Sequence, residues 1–230
     1  MKVRIRFGKT GALVYIGHLD VMRYFQKLLR RSEICVKYSE GFSPHQILSF
    51  SHPLPLGMES LGEYADIELT DSITTQEALK RLKEQSVPEI EIFSFKEIPD
   101  RCENAMASVI AAAYNVYFEN SNDSDKICEA VTKLMNSSEA IVYKKTKKSE
   151  KFENIRPLIH ELSYSVEDRC LKMLISSGSI NNLKPELVLE ALQVYCKELL
   201  NNDIKITRID QYTLVDGKTV SLDDIGKDII

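Results

Sequence analysis

Twice along this chain a strand-like segment is followed by a helix, further strands, a second helix and a closing strand. This repeated order restricts the fold more than any other feature of the sequence. Residues 2–7 alternate strictly, with Lys2, Arg4 and Arg6 opposed to Val3, Ile5 and Phe7, the period of a half-buried strand. Residues 18–31 then place Leu19, Met22, Phe25, Leu28 and Leu29 on one helical face. Strands are expected near 34–38, 46–51 and 64–69. Thr74-Thr75-Gln76-Glu77 opens a helix running to about residue 85, and residues 91–96 close the set. The order β-α-β-β-α-β is that of a ferredoxin-like unit. It recurs with a strand at 114–118, a helix over 124–136 (Ile127, Val131, Leu134 and Met135 inward) and strands at 140–143 and 171–175. A helix opened by Lys184-Pro185-Glu186 follows, with Val188, Leu192, Tyr195 and Leu199 on one face, and a strand at 204–209 ends the set. The expected fold is therefore α+β, two tandem ferredoxin-like units over residues 1–103 and 104–215. Residues 216–230, with Asp223, Asp224 and Asp228, read as a loose tail.

The stretch from Tyr15 to Pro55 concentrates the chemistry. It holds His18, His45 and His52, three of the four histidines. Gly17 or His18 can cap the first helix, and Asp20 suits the positive end of its dipole. Arg23, Lys27, Arg30 and Arg31 form a second, cationic stripe on that helix. The stripe reads either as a solvated face or as an anion-binding one, with Arg4, Arg6, Lys9 and Lys37 close in sequence. In Ser39-Glu40-Gly41-Phe42-Ser43-Pro44-His45, Gly41 permits a positive φ and Pro44 keeps Ser43 out of helix, so the segment is a turn. Tyr38 and Phe42 there can stack on a base and His45 can bond a phosphate or a base edge; alternatively Phe42 pins the loop to the core.

Charge favours a local rather than a general anion site. The chain carries a formal −4, yet residues 1–50 hold nine basic against three acidic side chains, a net +6, which leaves −10 for the remainder. Several classes are disfavoured. Gly8-Lys9-Thr10-Gly11 lacks the spacing of a phosphate-binding loop. Met1-Lys2-Val3-Arg4 reads as the start of a strand rather than a signal peptide, and no apolar run approaches the length of a membrane span. The five scattered cysteines form no Cys-x-x-Cys pair and read as reduced thiols of a cytoplasmic protein. His18, His45 and His52 match no standard zinc spacing, so neither a metal nor another cofactor is implied.

Five segments together resemble a known family: Val3-Arg4-Ile5-Arg6-Phe7, Ile16-Gly17-His18-Leu19-Asp20, Leu29-Arg30-Arg31, Tyr38 through His45, and Pro53-Leu54-Pro55-Leu56-Gly57-Met58-Glu59-Ser60. They are similar to the radical SAM-linked proteins, a bacterial domain of unknown function (DUF2344-like), found alone or fused to the C-terminus of cobalamin-binding radical SAM proteins. The likeness is dense over residues 1–70. Looser echoes follow at Met106-Ala107-Ser108, Asn154-Ile155-Arg156-Pro157 and Lys184-Pro185-Glu186, where the family more often has Asp and Arg in place of Asn154 and Lys184. The resemblance implies association with a radical SAM enzyme. The chain has no Cys-x3-Cys-x2-Cys cluster motif and so is not itself the radical enzyme.

Three functions fit these residues. The first is a binding or accessory module for RNA, or for an RNA-modifying radical SAM enzyme, through Arg4, Arg6, Arg23, Lys27, Arg30, Arg31, Lys37, Tyr38, Phe42, Ser43 and His45. The cationic run Tyr143-Lys144-Lys145-Thr146-Lys147-Lys148-Ser149-Glu150-Lys151 and Arg156 are further candidates in the second half. Arg156, in apolar surroundings, is expected to hold either a carboxylate such as Glu161 or a ligand. The second is a metal-independent RNA-processing or RNA-modifying enzyme with His18 and His45 as acid and base. His18 with Asp20 and Ser43 also imitates a nucleophilic triad, but no strand-turn-helix elbow frames the serine. The third is a protein-protein adaptor. The oligomeric state is left open.

Overall fold

A computed structural model describes residues 1–118, 124–145, 150–197 and 204–230, with Lys145 described in its backbone only. The chain divides into two compact units: Met1–Ile110 with Asp210–Ile230, and Ala111–Ile209.

In the first unit the strands are β1 (Lys2–Lys9), β2 (Leu48–Phe50), β3 (Glu59–Glu68) and β4 (Ile92–Glu97), with helices α1 (His18–Arg31), α2 (Thr75–Gln85) and the single turn α3 (Ala105–Ser108). The sheet order is β4-β1-β3, and β2 pairs with the C-terminal part of β3; all three pairings are antiparallel. The expected strand at 34–38 is reduced to single bridges, Val36 to Leu69 and Tyr38 to Gln46. Thr74 caps α2 by accepting from the Glu77 amide. One face of the sheet meets α1 and α2, and Phe7, Phe25 and Phe50 stack there with centroids 4.5 to 6.0 Å apart.

The opposite face is also covered, so the expectation of a half-buried first strand with Arg4 facing water does not hold. Arg4 is 1% exposed. It lies directly across from Asp66 in the β1–β3 register, with Nε–Oδ1 at 2.7 Å and Nη2–Oδ2 at 2.9 Å. The Ala105 amide at the start of α3 donates to Asp66 Oδ2 at 2.8 Å, and Arg4 Nη1 reaches the Leu222 carbonyl at 3.4 Å. Burial alone would lower the guanidinium's pKa, but the Asp66 bonds and charge outweigh it and hold it above its ordinary value.

Residues 216–230 supply much of that cover and are not a loose tail. Strand β11 (Lys218–Ser221) pairs antiparallel with the end of the long strand at Ile204–Val215. The connection is Asp216-Gly217, both at positive φ, the geometry of a tight two-residue hairpin. A 3₁₀ turn, Leu222–Ile225, follows, with Leu222 fully buried and Asp223 paired to Lys96 at 3.0 Å. At Gly226 a Cβ would lie 2.6 Å from the Lys96 Cβ, so only glycine lets the chain approach and exchange backbone bonds between Lys227 and Glu97. On the same face the Tyr64 hydroxyl donates to Asp210, which also accepts from Ser221 Oγ and the Gln211 amide, each at 2.8 Å. Burial first, and then the Asp210 charge and hydrogen bond, push the Tyr64 pKa well up.

The second unit contains strands β5 (Ala111–Phe118), β6 (Ile141–Lys145), β7 (Glu150–Asn154), β8 (Ile159–Ser165) and β9 (Cys170–Ser176), with helices α4 (Ser124–Asn136) and α5 (Pro185–Gln193). Strand β10 (Ile204–Val215) begins in this unit and ends in the first. The order is β10-β5-β9-β8, with β5–β9 and β9–β8 antiparallel. Two expectations change. Residues 140–143 do not enter this sheet; they belong to a separate two-stranded ribbon of β6 and β7. The strand in their place is β8, an edge strand with few buried residues, so its sequence lacks a strong apolar alternation. Helix α5 ends at Gln193, and Leu199 lies outside the described residues. No helix among the described residues is long and apolar enough to cross a membrane.

Two stability predictions follow from the covered face. Asp66→Asn strands the Arg4 charge and is expected to cost about 3–5 kcal/mol in urea unfolding, whereas Arg4→Met with Asp66→Leu costs less because no charge is left unpaired. Because folding raises the Tyr64 pKa, its contribution is complete below the ordinary tyrosine value of about 10. It is lost as pH rises beyond that, by up to about 1.4 kcal/mol per pH unit. The alkaline unfolding curve of Tyr64→Phe should lack that component.

Candidate nucleic-acid interface

Helix α1 buries Val21, Phe25, Leu28 and Leu29, and this fixes which cations point outward. Arg23, Lys27 and Arg30, spaced four and three apart, lie exposed on one face. Arg23 shares Asp20 at 3.2 Å in a solvent-exposed pair, and Arg30 Nε turns back to the Gln26 carbonyl at 3.2 Å. Lys27 makes no ion pair with the described residues. Arg31 diverges toward α2, donating to the Gln85 carbonyl at 3.3 Å with its guanidinium 6.0 Å from the Tyr24 ring. The last-turn position of Arg30 and Arg31 also suits the negative end of the helix dipole. The other expected cations are dispersed. Arg4 is internal. Arg6 donates to the Leu61 carbonyl and lies 5.8 Å from the Phe93 ring. Lys37 faces Glu68 at 3.3 Å.

The Gly-Phe-Ser-Pro-His segment forms a braced projecting loop. Ser39 N–H donates to the His45 carbonyl at 2.8 Å, and the His45 amide donates to Ser39 Oγ at 3.1 Å. His45 Nδ1 lies 2.9 Å from the same hydroxyl. Gly41 has φ +112°, a conformation closed to most side chains. Beyond this brace Phe42 is wholly exposed, and Tyr38, Ser43 and His45 are exposed with it. Phe42 therefore does not pin the loop to the core; an aromatic ring is held out in water by a short ladder.

Among the described residues His18 and Asp20 make no hydrogen bond to Ser43 or His45. His18 opens α1 and packs edge-on against Phe50 at 5.5 Å, and Asp20 is bonded to Arg23. His45 is held instead by Ser39 in the loop ladder, with its Nδ1 also 3.4 Å from the Ser43 carbonyl. Ser43 sits on the exposed loop. No group of three His, Cys, Asp or Glu side chains among the described residues is placed to hold a metal. Near His18 two charged side chains are buried: Lys9, one of the cations expected to support an anion-binding face, and Glu63. Lys9 Nζ reaches the Ile16 carbonyl at 3.2 Å, and Glu63 accepts from Ser60 Oγ at 2.6 Å. The cavity they share with His18, of about 20 Å³, has room for about one water. The only sequence signal for Lys9 is a cation adjoining the buried end of an alternating strand.

Arg156 bonds backbone carbonyls rather than the expected carboxylate. Its guanidinium donates to the Ile159 carbonyl at 3.0 Å and to the Met135 carbonyl, at the C-terminal end of α4, at 2.8 Å. Asn154 Oδ1 accepts from both the Ala140 and Arg156 amides. The Asn154-Ile155-Arg156-Pro157 segment thus fastens the end of α4 to the base of the β6–β7 ribbon. Thr146, Lys147, Lys148 and Ser149 lie outside the described residues.

A family model described as an uncharacterized protein conserved in bacteria (DUF2344) matches residues 2–185. The chain belongs to this family. No curated protein matches it. Among solved structures it is similar to a chain of a Cbf5-Nop10-Gar1 complex, at 9% identity and a TM-score of 0.48, over 91% of this chain and 48% of that one. The chain thus spans about half the length of that protein.

The Arg156 geometry predicts that Arg156→Ala destabilises the second unit by about 1–3 kcal/mol and speeds amide exchange in the last turn of α4. Arg156→Lys should restore only part of the loss, since one ammonium cannot span both carbonyls as the planar guanidinium does.

Proposed function

We propose that the DUF2344 chain is an RNA-docking module built on two ferredoxin-like units. The fold part of this reading is supported by the strand orders β4-β1-β3-β2 and β10-β5-β9-β8, which place the fourth, first, third and second strands in the same sequence in both units. The observation that carries the RNA part is the pairing of two unlike features in the first unit. These are the exposed Arg23, Lys27 and Arg30 on α1, and the braced loop that holds Phe42 in solvent. Cations that retain their charge attract a phosphate backbone, and an exposed ring stacks on a base of any identity. Neither feature contributes to the core, so the fold does not require them. The resemblance to radical SAM-linked proteins extends the proposal: RNA held here is presented to a partner enzyme of that class. His18 packs edge-on against Phe50 and His45 is braced by Ser39, arrangements that support docking over catalysis by this chain.

The test is a salt titration of binding to single-stranded RNA. The wild type is expected to lose affinity steeply with salt. Arg23→Glu, Lys27→Glu and Arg30→Glu together should reduce the slope of log K against log salt by roughly 0.7 per lost phosphate contact. Phe42→Ala should weaken binding by about 1–3 kcal/mol with little change in slope. Unchanged binding by the folded triple variant would overturn the proposal.

A further inference from the structure

Between the sheet of the first unit and residues 98–104 lies a cavity of about 260 Å³, on the sheet face opposite α1 and α2. Its floor includes Asp66, whose two oxygens are already taken by Arg4 and the Ala105 amide. Its walls carry two charges that are not committed in this way. Lys2 and Glu68 are direct cross-strand partners on β1 and β3, and both line the cavity. Opposite charges so placed ordinarily attract one another. Here each turns to another group. Lys2 Nζ donates to the Asp100 carbonyl at 2.8 Å, which leaves its charge without a carboxylate among the described residues. Glu68 Oε2 meets Lys37 at 3.3 Å in a partly exposed pair, and Oε1 receives no donor among the described residues. Two polar groups beside them are also uncommitted. Ser49 Oγ makes no hydrogen bond among the described residues, and the Asn104 side chain uses only its Oδ1, which accepts from the Ala107 amide. Ile47 and Ile98 supply apolar wall.

We infer that this cavity binds a small zwitterion, an α-amino acid with an apolar side chain. The Lys2 ammonium, the Ser49 hydroxyl and the Asn104 amide receive its carboxylate, Glu68 receives its ammonium, and Ile47 and Ile98 cover its side chain. A simple anion would be repelled by Glu68 and a simple cation by Lys2, whereas a ligand carrying both charges is matched to both. The size agrees. An apolar cavity of roughly 150 Å³ holds benzene, and drug-sized ligands occupy roughly 300 Å³ or more. Neither charge is needed by the ion pair that organises this face, since Arg4 and Asp66 satisfy one another. The cavity shares no residue with the α1 cations or Phe42, so this inference and the RNA reading are tested separately.

The full chain is titrated calorimetrically with L-leucine, L-valine and L-methionine. Leucine is then compared with 4-methylpentanoate and 3-methylbutylamine, which keep its side chain and one charge each. The expected result is saturable binding of leucine, with each single-charge analogue weaker by roughly tenfold or more. Glu68→Gln and, separately, Lys2→Met should each weaken leucine binding roughly ten- to hundredfold, the effect of losing one charged partner, with the far-ultraviolet circular dichroism unchanged. Cys102, on the cavity wall, gives a readout that needs no variant. Bound leucine should slow its alkylation by iodoacetamide and leave that of the exposed Cys35 unaffected. No binding by any of the three amino acids overturns the inference. An analogue that binds as tightly as leucine overturns the zwitterion. Leucine binding that persists in both folded variants, or that does not protect Cys102, overturns the site.

Discussion

The first unit depends on one cross-strand ion pair. Arg4 and Asp66 face each other on adjacent central strands, on the side of the sheet away from α1 and α2. Two charges removed from water are costly, and their mutual attraction compensates only when the remaining donors and acceptors are also satisfied. Here Asp66 takes the Ala105 amide as well as both Arg4 contacts, and Arg4 turns further N–H groups to the Leu222 and Glu103 carbonyls. The pair therefore orients whatever covers it. The α3 turn and the Leu222 turn are poor structures alone, one a single helical turn and the other a 3₁₀ turn. They hold their places because a fixed charge pair receives their backbone groups.

A consequence is that the unit cannot be completed until the end of the chain arrives. Arg4 meets Leu222, 218 residues away, and Tyr64 meets Asp210, 146 residues away. Until those partners dock, Arg4 and Asp66 lie on an open sheet face and the Tyr64 hydroxyl lacks its acceptor. Contacts this distant impose a large loop-closure cost before they contribute, which makes the final closure a slow step in folding. The two faces of the sheet also differ in kind. The α1–α2 face is apolar and tolerant, with Phe7, Phe25 and Phe50 in mutual contact, while the other is polar and specific, and there a lost partner leaves a buried group unsatisfied.

What was legible in the sequence divides along the same line. Helices α1, α2 and α4 match their expected bounds closely because each has one buried apolar face, which is the feature periodicity reports. The alternation of β1 was read correctly as a strand and wrongly as half-exposed, since a polar residue that is buried by its partner has the same pattern as one facing water. Asp66 and Leu222, which decide the matter, are far away in sequence. Residues 216–230 looked loose because Leu222, Ile225 and Ile229 are sparse and irregularly spaced. Asp216-Gly217 was the available signal for the hairpin that brings them back. Strand β8 was passed over in favour of residues 140–143, because an edge strand shows less apolar alternation than a ribbon that exposes its aromatics.

The cationic residues show why a run of positive charge is weak evidence until its partners are known. Arg4 is neutralised inside the sheet, Arg31 lies on Gln85 and Tyr24, and Arg156 ends α4 by bonding two carbonyls. For Arg4 and Arg156 the planar guanidinium does what an ammonium cannot, bonding several acceptors at fixed angles. On the exposed face of α1 the balance is different. Arg30 donates to a backbone carbonyl, which leaves its charge in place, Lys27 has no carboxylate partner among the described residues, and Arg23 has Asp20 only across an exposed contact that contributes little. The charge free to meet a phosphate on that helix is thus two to three units rather than the four the sequence suggests. An interface of that size is sensitive to salt and moderate in affinity by charge alone. Affinity beyond that must come from contacts that salt does not screen, and an aromatic ring held away from its own core, as Phe42 is, supplies one.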